Sequence, residues 1–296
     1  SIVSGYRSAP WVRRCLKPGS APLEGADLVS GVSFPPANKR LGQNFLIDPN
    51  IVRKIVATAD LSPEDTVLEI GPGRGALTEA LSHAARRVIA VEIDPQLHGL
   101  LQNRQADWPN VQLVCEDALT YPLEAVPTGT IVVANLPYYI STPLLFRLLE
   151  HRHRFPRLVL MLQNEVADRL VAKAGSADYG VLSVMAQYAA HITKVFRVSA
   201  HCFRPRPEVG SAVVLLRVQK ETLLSPQEEP IFAEVVKAAF AHRRKTLVNS
   251  LRDEGYKPQV VMAALADTEI AATARAETLT LGQFVQLAGR LDRRRL

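Results

Sequence analysis

Residues 135–138 read Asn-Leu-Pro-Tyr, directly after the apolar run Ile131-Val132-Val133-Ala134. A strand that ends in this tetrapeptide brings three unlike tools to one place. The Asn135 amide and the carbonyls beside Pro137, that of Leu136 included, can accept hydrogen bonds from an exocyclic amine. The ring of Tyr138 can stack on the base that carries the amine. An adenine amine is a poor nucleophile because its lone pair is delocalised into the ring. Acceptors that hold both amine hydrogens out of the ring plane return electron density to the nitrogen, which can then attack a methyl donor. The same residues also suit an ordinary strand-to-turn junction, where Asn and Pro are common. The elements around them have to decide.

From Asp48 onward the chain is regular. Ile51, Val52, Ile55 and Val56 stand at helical spacing within 49–59. Residues 66–70 read as a buried strand, and the turn Gly71-Pro72-Gly73-Arg74-Gly75 then opens a helix with Leu77 and Leu81 on one face. A strand over 87–91 ends at Glu92, and Asp94 with Pro95 starts a helix over 95–104 as N-cap and first helical residue. Strands follow over 111–115, 131–134 and 158–162, with helices over 141–151 and from near Asn164. Strands alternating with helices in this way imply βαβ crossovers and a mostly parallel sheet. Segments 191–198 and 211–218 are β-rich and could close it as an antiparallel pair. After about Gln219 the pattern is purely helical, over 231–241, 245–251, 258–265 and 281–291. The expected organisation is an N-terminal extension over 1–38, an α/β domain over 39–220 and a small all-helical domain over 221–296.

Open α/β sheets bind ligands at the carboxyl ends of their strands, and four successive strand ends here carry marked residues. The first bears the loop of Gly71, Gly73 and Gly75, whose backbone can come close to a ligand beside a helix N-terminus. This loop departs from the dinucleotide fingerprint, which wants its third glycine three positions after the second. The second strand ends in Glu92, 21 residues after Gly71, a spacing suited to a carboxylate that accepts both ribose hydroxyls of a nucleoside. The third ends in Glu116-Asp117, where a carboxylate could accept from an adenine amine. Taken singly, each acid also fits an N-cap or a solvated loop. Together in register they fit a cofactor with an adenosine part, and Asn-Leu-Pro-Tyr faces the same crevice from the fourth strand.

With 296 residues, 47% hydrophobic and 22% charged, the chain can bury a sizeable core, which excludes wholesale disorder. The net charge is +6, and its distribution says more than its size. Lys237, Arg243, Arg244, Lys245 and Arg252 form one basic cluster with Glu234 among them, and Arg293-Arg294-Arg295 lie near the end of the sequence. Such clusters suit a phosphate backbone; solvated helix faces laced with ion pairs are the competing account. Cys15, Cys115 and Cys202 are odd in number and far apart, which argues against a disulfide framework or a zinc site. No apolar stretch reaches the length of a membrane span. Residues 1–38, rich in proline, are expected to be a flexible extension. Their Arg- and Ser-bearing, acid-poor start fits a remnant transit peptide of a chloroplast or mitochondrion, an ordinary bacterial tail or a mis-called start.

At this point the sequence resembles the ribosomal RNA adenine N6,N6-dimethyltransferases, which use S-adenosylmethionine and act on small-subunit RNA. Lys39-Arg40-Leu41-Gly42-Gln43-Asn44-Phe45-Leu46 is similar to the family's opening motif, residues 68–75 to its glycine loop, and 91–94 to its ribose acid. Glu116-Asp117-Ala118 resembles the adenine-contacting loop and 135–142 the catalytic motif. Residues 161–166, 179–184, 203–213 and 239–247 complete the likeness, which spans roughly 39–291. The family often has Lys where this chain has Asn164 and Glu208, and Asp or Asn where it has Gly210.

The resemblance implies a Rossmann-like class I methyltransferase sheet, mostly parallel with an antiparallel edge, plus the helical C-terminal domain as an RNA-binding part. It implies cofactor contacts at Asn44, Leu46, Gly71, Gly73, Glu92, Asp117 and Asn135. Asn135 would also orient the target amine with the Leu136 carbonyl, Pro137 shaping the turn, and Tyr138 would stack on the target adenine with Phe203 on its other face. Phe203 could equally be a core aromatic between two strands. Arg204 and Arg206, then Arg243, Arg244 and Lys245, would grip phosphates. The implied partner is small-subunit rRNA or the assembling small subunit, met by a monomer in the cytoplasm with no membrane contact. Three rivals remain open at this stage. They are a large-subunit adenine methylase of the antibiotic-resistance type, a DNA adenine methyltransferase, and a non-catalytic RNA-binding assembly or transcription factor.

Overall fold

The computed structural model describes residues 27–29, 32–38, 41–221, 223–242 and 244–292. Strands β1 (Asp27–Val29) and β2 (Val32–Phe34) pair antiparallel. The stretch expected as a flexible extension therefore holds a hairpin among its described residues. After β3 (Phe45–Leu46) comes α1 (Pro49–Ala59). The helix starts where Asp48 accepts the Asn50 N–H at 2.8 Å, and stops where Asp60 turns left-handed at φ 49°. Its apolar face of Ile51, Val52 and Ile55 is buried.

The next elements alternate as the pattern predicts: β4 (Thr66–Ile70), α2 (Ala76–Ala84), β5 (Arg87–Glu92), α3 (Pro95–Gln102), β6 (Val111–Cys115), β7 (Ile131–Asn135), α4 (Ser141–Glu150) and β8 (Arg157–Gln163). Helix α3 ends two residues before the expected Arg104, and the chain turns so that this guanidinium lies 4.3 Å from the Trp108 ring. Then follow α5 (Asn164–Val171), α6 (Val181–Ala189), β9 (Ala190–Val198), β10 (Phe203–Arg204) and β11 (Ser211–Val218).

Seven strands form one sheet in the order β6-β5-β4-β7-β8-β11-β9. The first five are parallel neighbours. The Asn164 N–H donates to the Gly210 carbonyl at 3.0 Å, so the end of β8 meets the start of β11. The Gln219 N–H donates to Ala189 at 3.0 Å, so the end of β11 meets the start of β9. Strand β11 thus runs against both neighbours and makes the expected antiparallel edge. Strands covered on both faces should be apolar throughout rather than alternating. Accordingly Leu68, Val88, Val132, Val133 and Val159 are all fully buried, each contributing about 1.5–3 kcal/mol.

The described chain divides into two compact units. One takes the chain up to Asn164 together with Val195–Leu216, and the other takes Glu165–Lys194 with the chain from Arg217 on. This moves the boundary expected near residue 220. The reason is packing: Ala172, Tyr179, Val184 and Tyr188 share one apolar cluster with Phe232, Leu251 and Phe284. In the second unit α5 and α6 join α7 (Glu229–Phe240), α8 (Leu247–Asp253), α9 (Pro258–Asp267) and α10 (Leu281–Asp292). Tyr188 lies 4.7 Å from the Phe232 ring and donates to Glu229 at 2.9 Å. No helix among the described residues is long and apolar enough to cross a membrane.

Candidate active site

Strand β4 pairs with β5 on one side and β7 on the other, so crossovers leave it in opposite directions and a crevice opens at its carboxyl end. There the three glycines of the loop take φ values of 69°, 60° and 82° at Gly71, Gly73 and Gly75. At Gly75 a side chain is excluded twice over, because a Cβ would lie 2.8 Å from Trp108 and 2.9 Å from Leu101.

The loop is tied to the next strand end by Glu92. Its Oε2 accepts the Gly73 N–H at 3.0 Å and its Oε1 the Asp94 N–H at 2.9 Å. The side chain is 4% exposed, and burial lifts its carboxyl to about 7 despite those backbone donors. Below it Glu69 interrupts an otherwise apolar strand. Burial pushes its carboxyl to about 8, the Thr78 hydroxyl opposing and the Glu92 charge adding. Neither Glu69 oxygen closes a hydrogen bond of normal geometry among the described residues.

At the end of β6, Asp117 accepts the Leu119 N–H through Oδ1 at 2.9 Å, which leaves Oδ2 for an amine. Arg147 of α4 holds this loop, donating to the carbonyls of Ala118 and Tyr121. The opening motif is pinned by Gln43, which accepts the Asn38 N–H at 2.7 Å and donates to Asp94 at 2.8 Å. At the end of β7 the Asn135 Nδ2 donates to the Asn44 carbonyl at 3.3 Å. That bond orients the amide and frees Oδ1 as an acceptor. The Leu136 N–H is engaged by the Met161 carbonyl at 3.2 Å. The half-buried Tyr138 ring is anchored through its hydroxyl, 2.7 Å from the Oγ of the fully buried Ser211.

Asn44, Leu46, Gly71, Gly73, Glu92, Asp117 and Asn135 all line one cleft of about 950 Å³, and Leu136, Pro137 and Tyr138 join them. Phe203 does not. Its ring is 3% exposed and belongs to the buried apolar core, with β10 pairing with β3 so that Phe203 sits opposite Leu46. The expected second stacking ring is thus a core residue in this structure, because pairing with the opening motif turns it inward. Arg204, at the end of β10, and Arg206, on the loop after it, are exposed. Arg243 lies outside the described residues. Arg244 is exposed, whereas Lys245 pairs with Asp253, which also takes Arg252. The helix start expected at Lys245 falls two residues before α8, which begins at Leu247. Sequence reasoning passed over Tyr139, Glu69 and Arg74 as cleft residues. A lone acid inside an apolar strand was the available signal for Glu69.

A buried acid ready for a diol, a second acid open to an amine and a glycine loop beside them fit an adenosine-bearing cofactor. The fold and this crevice define a class I, S-adenosylmethionine-dependent methyltransferase. The family model for ribosomal RNA adenine dimethylase matches residues 36–293. The chain is 44% identical over 265 residues to ribosomal RNA small subunit methyltransferase A of Moorella thermoacetica, covering 86% of this chain and 92% of the relative. It is 43% identical over 273 residues to the protein of that name from a Geobacillus strain, covering 88% and 93%. Among solved structures, a dimethyladenosine transferase from Plasmodium falciparum matches with a TM-score of 0.72 at 28% identity, over 82% of this chain and 95% of that one. The 23S rRNA methyltransferase ErmE matches at 0.66 and 31%, over 84% and 100%. The chain belongs to the ribosomal RNA adenine dimethylase family.

Proposed function

We propose that this protein transfers methyl groups from S-adenosylmethionine to the N6 amines of two adjacent adenosines in a small-subunit rRNA loop, giving N6,N6-dimethyladenosine during ribosome biogenesis. The observation that carries the reading is the Asn135 amide, whose Nδ2 donates to the Asn44 carbonyl and so leaves its oxygen as an acceptor at the end of β7. The loop of Gly71 and Gly73, with Asn44, Leu46, Glu92 and Asp117, holds the cofactor. Bound there, the cofactor would supply an electrophilic methyl group on a sulfonium, with a neutral thioether as the leaving group.

The protein's own residues do the rest. Asn135 Oδ1 and the Leu136 carbonyl accept the amine hydrogens and return the lone pair to nitrogen. Tyr138, its hydroxyl held by Ser211, supplies the stacking platform for a base withdrawn from its neighbours. No general base is needed, because the methylated nitrogen releases its proton to water after transfer. Positioning and acceptor electrostatics lower the barrier. Arg204, Arg206 and Arg244, all exposed, contact phosphates from outside the cleft, with Arg243 and Lys245. The partner is the assembling small subunit, met by a monomer in the cytoplasm. The likeness to ErmE favours large-subunit methylation as the second reading.

The test is incubation with labelled S-adenosylmethionine and small subunits lacking the modification, alongside large subunits and plasmid DNA. Label recovered as dimethyladenosine from the small-subunit RNA is the expected result. Label confined to the large subunit would establish the second reading. Tight RNA binding without label anywhere would overturn both.

A further inference from the structure

The cleft is crowded with acids. Glu69, Glu92, Glu116 and Asp117 line it, and Arg74 is the one basic side chain among its described lining residues. Arg74 stands between Gly73 and Gly75 at the end of β4, half-buried, its guanidinium 4.4 Å from the centroid of the Phe45 ring. Phe45 is itself 7% exposed and presses on the loop, since a Cβ at Gly73 would come within 3.1 Å of it. The cation is therefore held over an aromatic face by a turn that only glycines can make.

The order of the strands assigns the parts of the ligand. Asp117 at β6 is the place for the adenine amine and Glu92 at β5 for the ribose. Asn135 at β7 marks where the methyl group must point. The glycine loop of β4 remains for the amino-acid tail. That tail carries an ammonium and a carboxylate. The ionised acids of the cleft suit the ammonium and the sulfonium but repel the carboxylate, and burying an anion there without a counter-charge is costly even where Glu69 stays protonated. We propose that Arg74 binds the α-carboxylate of the cofactor's methionine tail. The inference rests on the S-adenosylmethionine reading above and assigns Arg74 a role within it. A guanidinium matches a carboxylate with two parallel donors, which an ammonium does not.

Isothermal titration tests this with S-adenosylhomocysteine and its decarboxylated analogue, which keeps the amine. Both are titrated into the wild-type protein, R74Q and R74K. The wild type should prefer the intact ligand. R74Q should bind it about tenfold or more weakly while holding the decarboxylated analogue within about twofold of wild type, so that the preference disappears. R74K should restore part of it. Binding of the decarboxylated analogue doubles as the check that the variant is folded. Equal weakening of both ligands, or an unchanged preference, would overturn the assignment and leave Arg74 as a brace for the loop. Failure of the wild type to bind S-adenosylhomocysteine at all would instead overturn the cofactor reading beneath it.

Discussion

If Glu92 binds the cofactor ribose as proposed, cofactor binding depends on pH, and the size of the effect follows from the setting of its carboxyl. The carboxyl is 4% exposed and lifted from 4.5 to about 7, chiefly by burial. A shift of this size disfavours the ionised form by roughly 3 kcal/mol at about 1.4 kcal/mol per pKa unit. Ribose hydroxyls donate to a carboxylate, so the ionised form is the one that binds, and binding below pH 7 expels a proton. If only that form binds, the dissociation constant rises by a factor of one plus the ratio of protonated to ionised carboxyl. It is then about tenfold weaker at pH 6 than at pH 8. Titrating S-adenosylhomocysteine from pH 5.5 to 8.5 should show this slope, and E92Q should bind more weakly with the slope removed. Glu69, lifted to about 8, and Asp94 face the same group, and E92Q leaves both in place. Stability of the free protein runs the other way. Because the folded value is raised, the Glu92 contribution is fully present below pH 4.5 and lost as pH rises through about 7. An affinity that changes less than about twofold across the range, or an undiminished slope in E92Q, would refute the argument.

Three further outcomes are expected. Asn135→Ala should lower single-turnover methyl transfer by about 10²–10³-fold while S-adenosylhomocysteine binding stays measurable by calorimetry; near-normal turnover would remove the acceptor role. Replacing Arg243, Arg244 and Lys245 by Ala together should weaken RNA binding and reduce the logarithmic salt slope by about two to three. An unchanged slope in filter binding would return the cluster to the ion pairs of Asp253. Gly75→Ala meets Trp108 and Leu101 at a φ of 82°, so urea denaturation should show a loss of about 2 kcal/mol or more.

The core sheet was legible because parallel strands buried on both faces leave uninterrupted apolar runs, and because two of the helix starts announce themselves, at Asp48-Pro49 and Asp94-Pro95. The strand-end acids were legible only as a set: each alone fits an N-cap or a solvated loop, but their shared register at neighbouring strand ends places them in one cleft. Features set by distant pairing were not. Nothing local to Phe203 says that β10 will pair with β3 and draw the ring inward. Helix α6 is so evenly apolar that its period is faint, and its packing with α7 moved the unit boundary well upstream of residue 220. Nor does anything local to Arg74 say that its guanidinium will lie over the Phe45 ring.

The hydrogen bond from Asn135 Nδ2 to the Asn44 carbonyl has a consequence for fidelity. With the amide nitrogen committed, the site presents only lone pairs to the edge of the incoming base. Adenosine meets them with two N–H groups. Inosine, its deamination product, would meet them with a carbonyl oxygen, three acceptors crowded together at a cost of about 1–3 kcal/mol for each group left unpaired. Under the proposed mechanism, the backbone of the opening motif would thereby disfavour inosine in the target pocket.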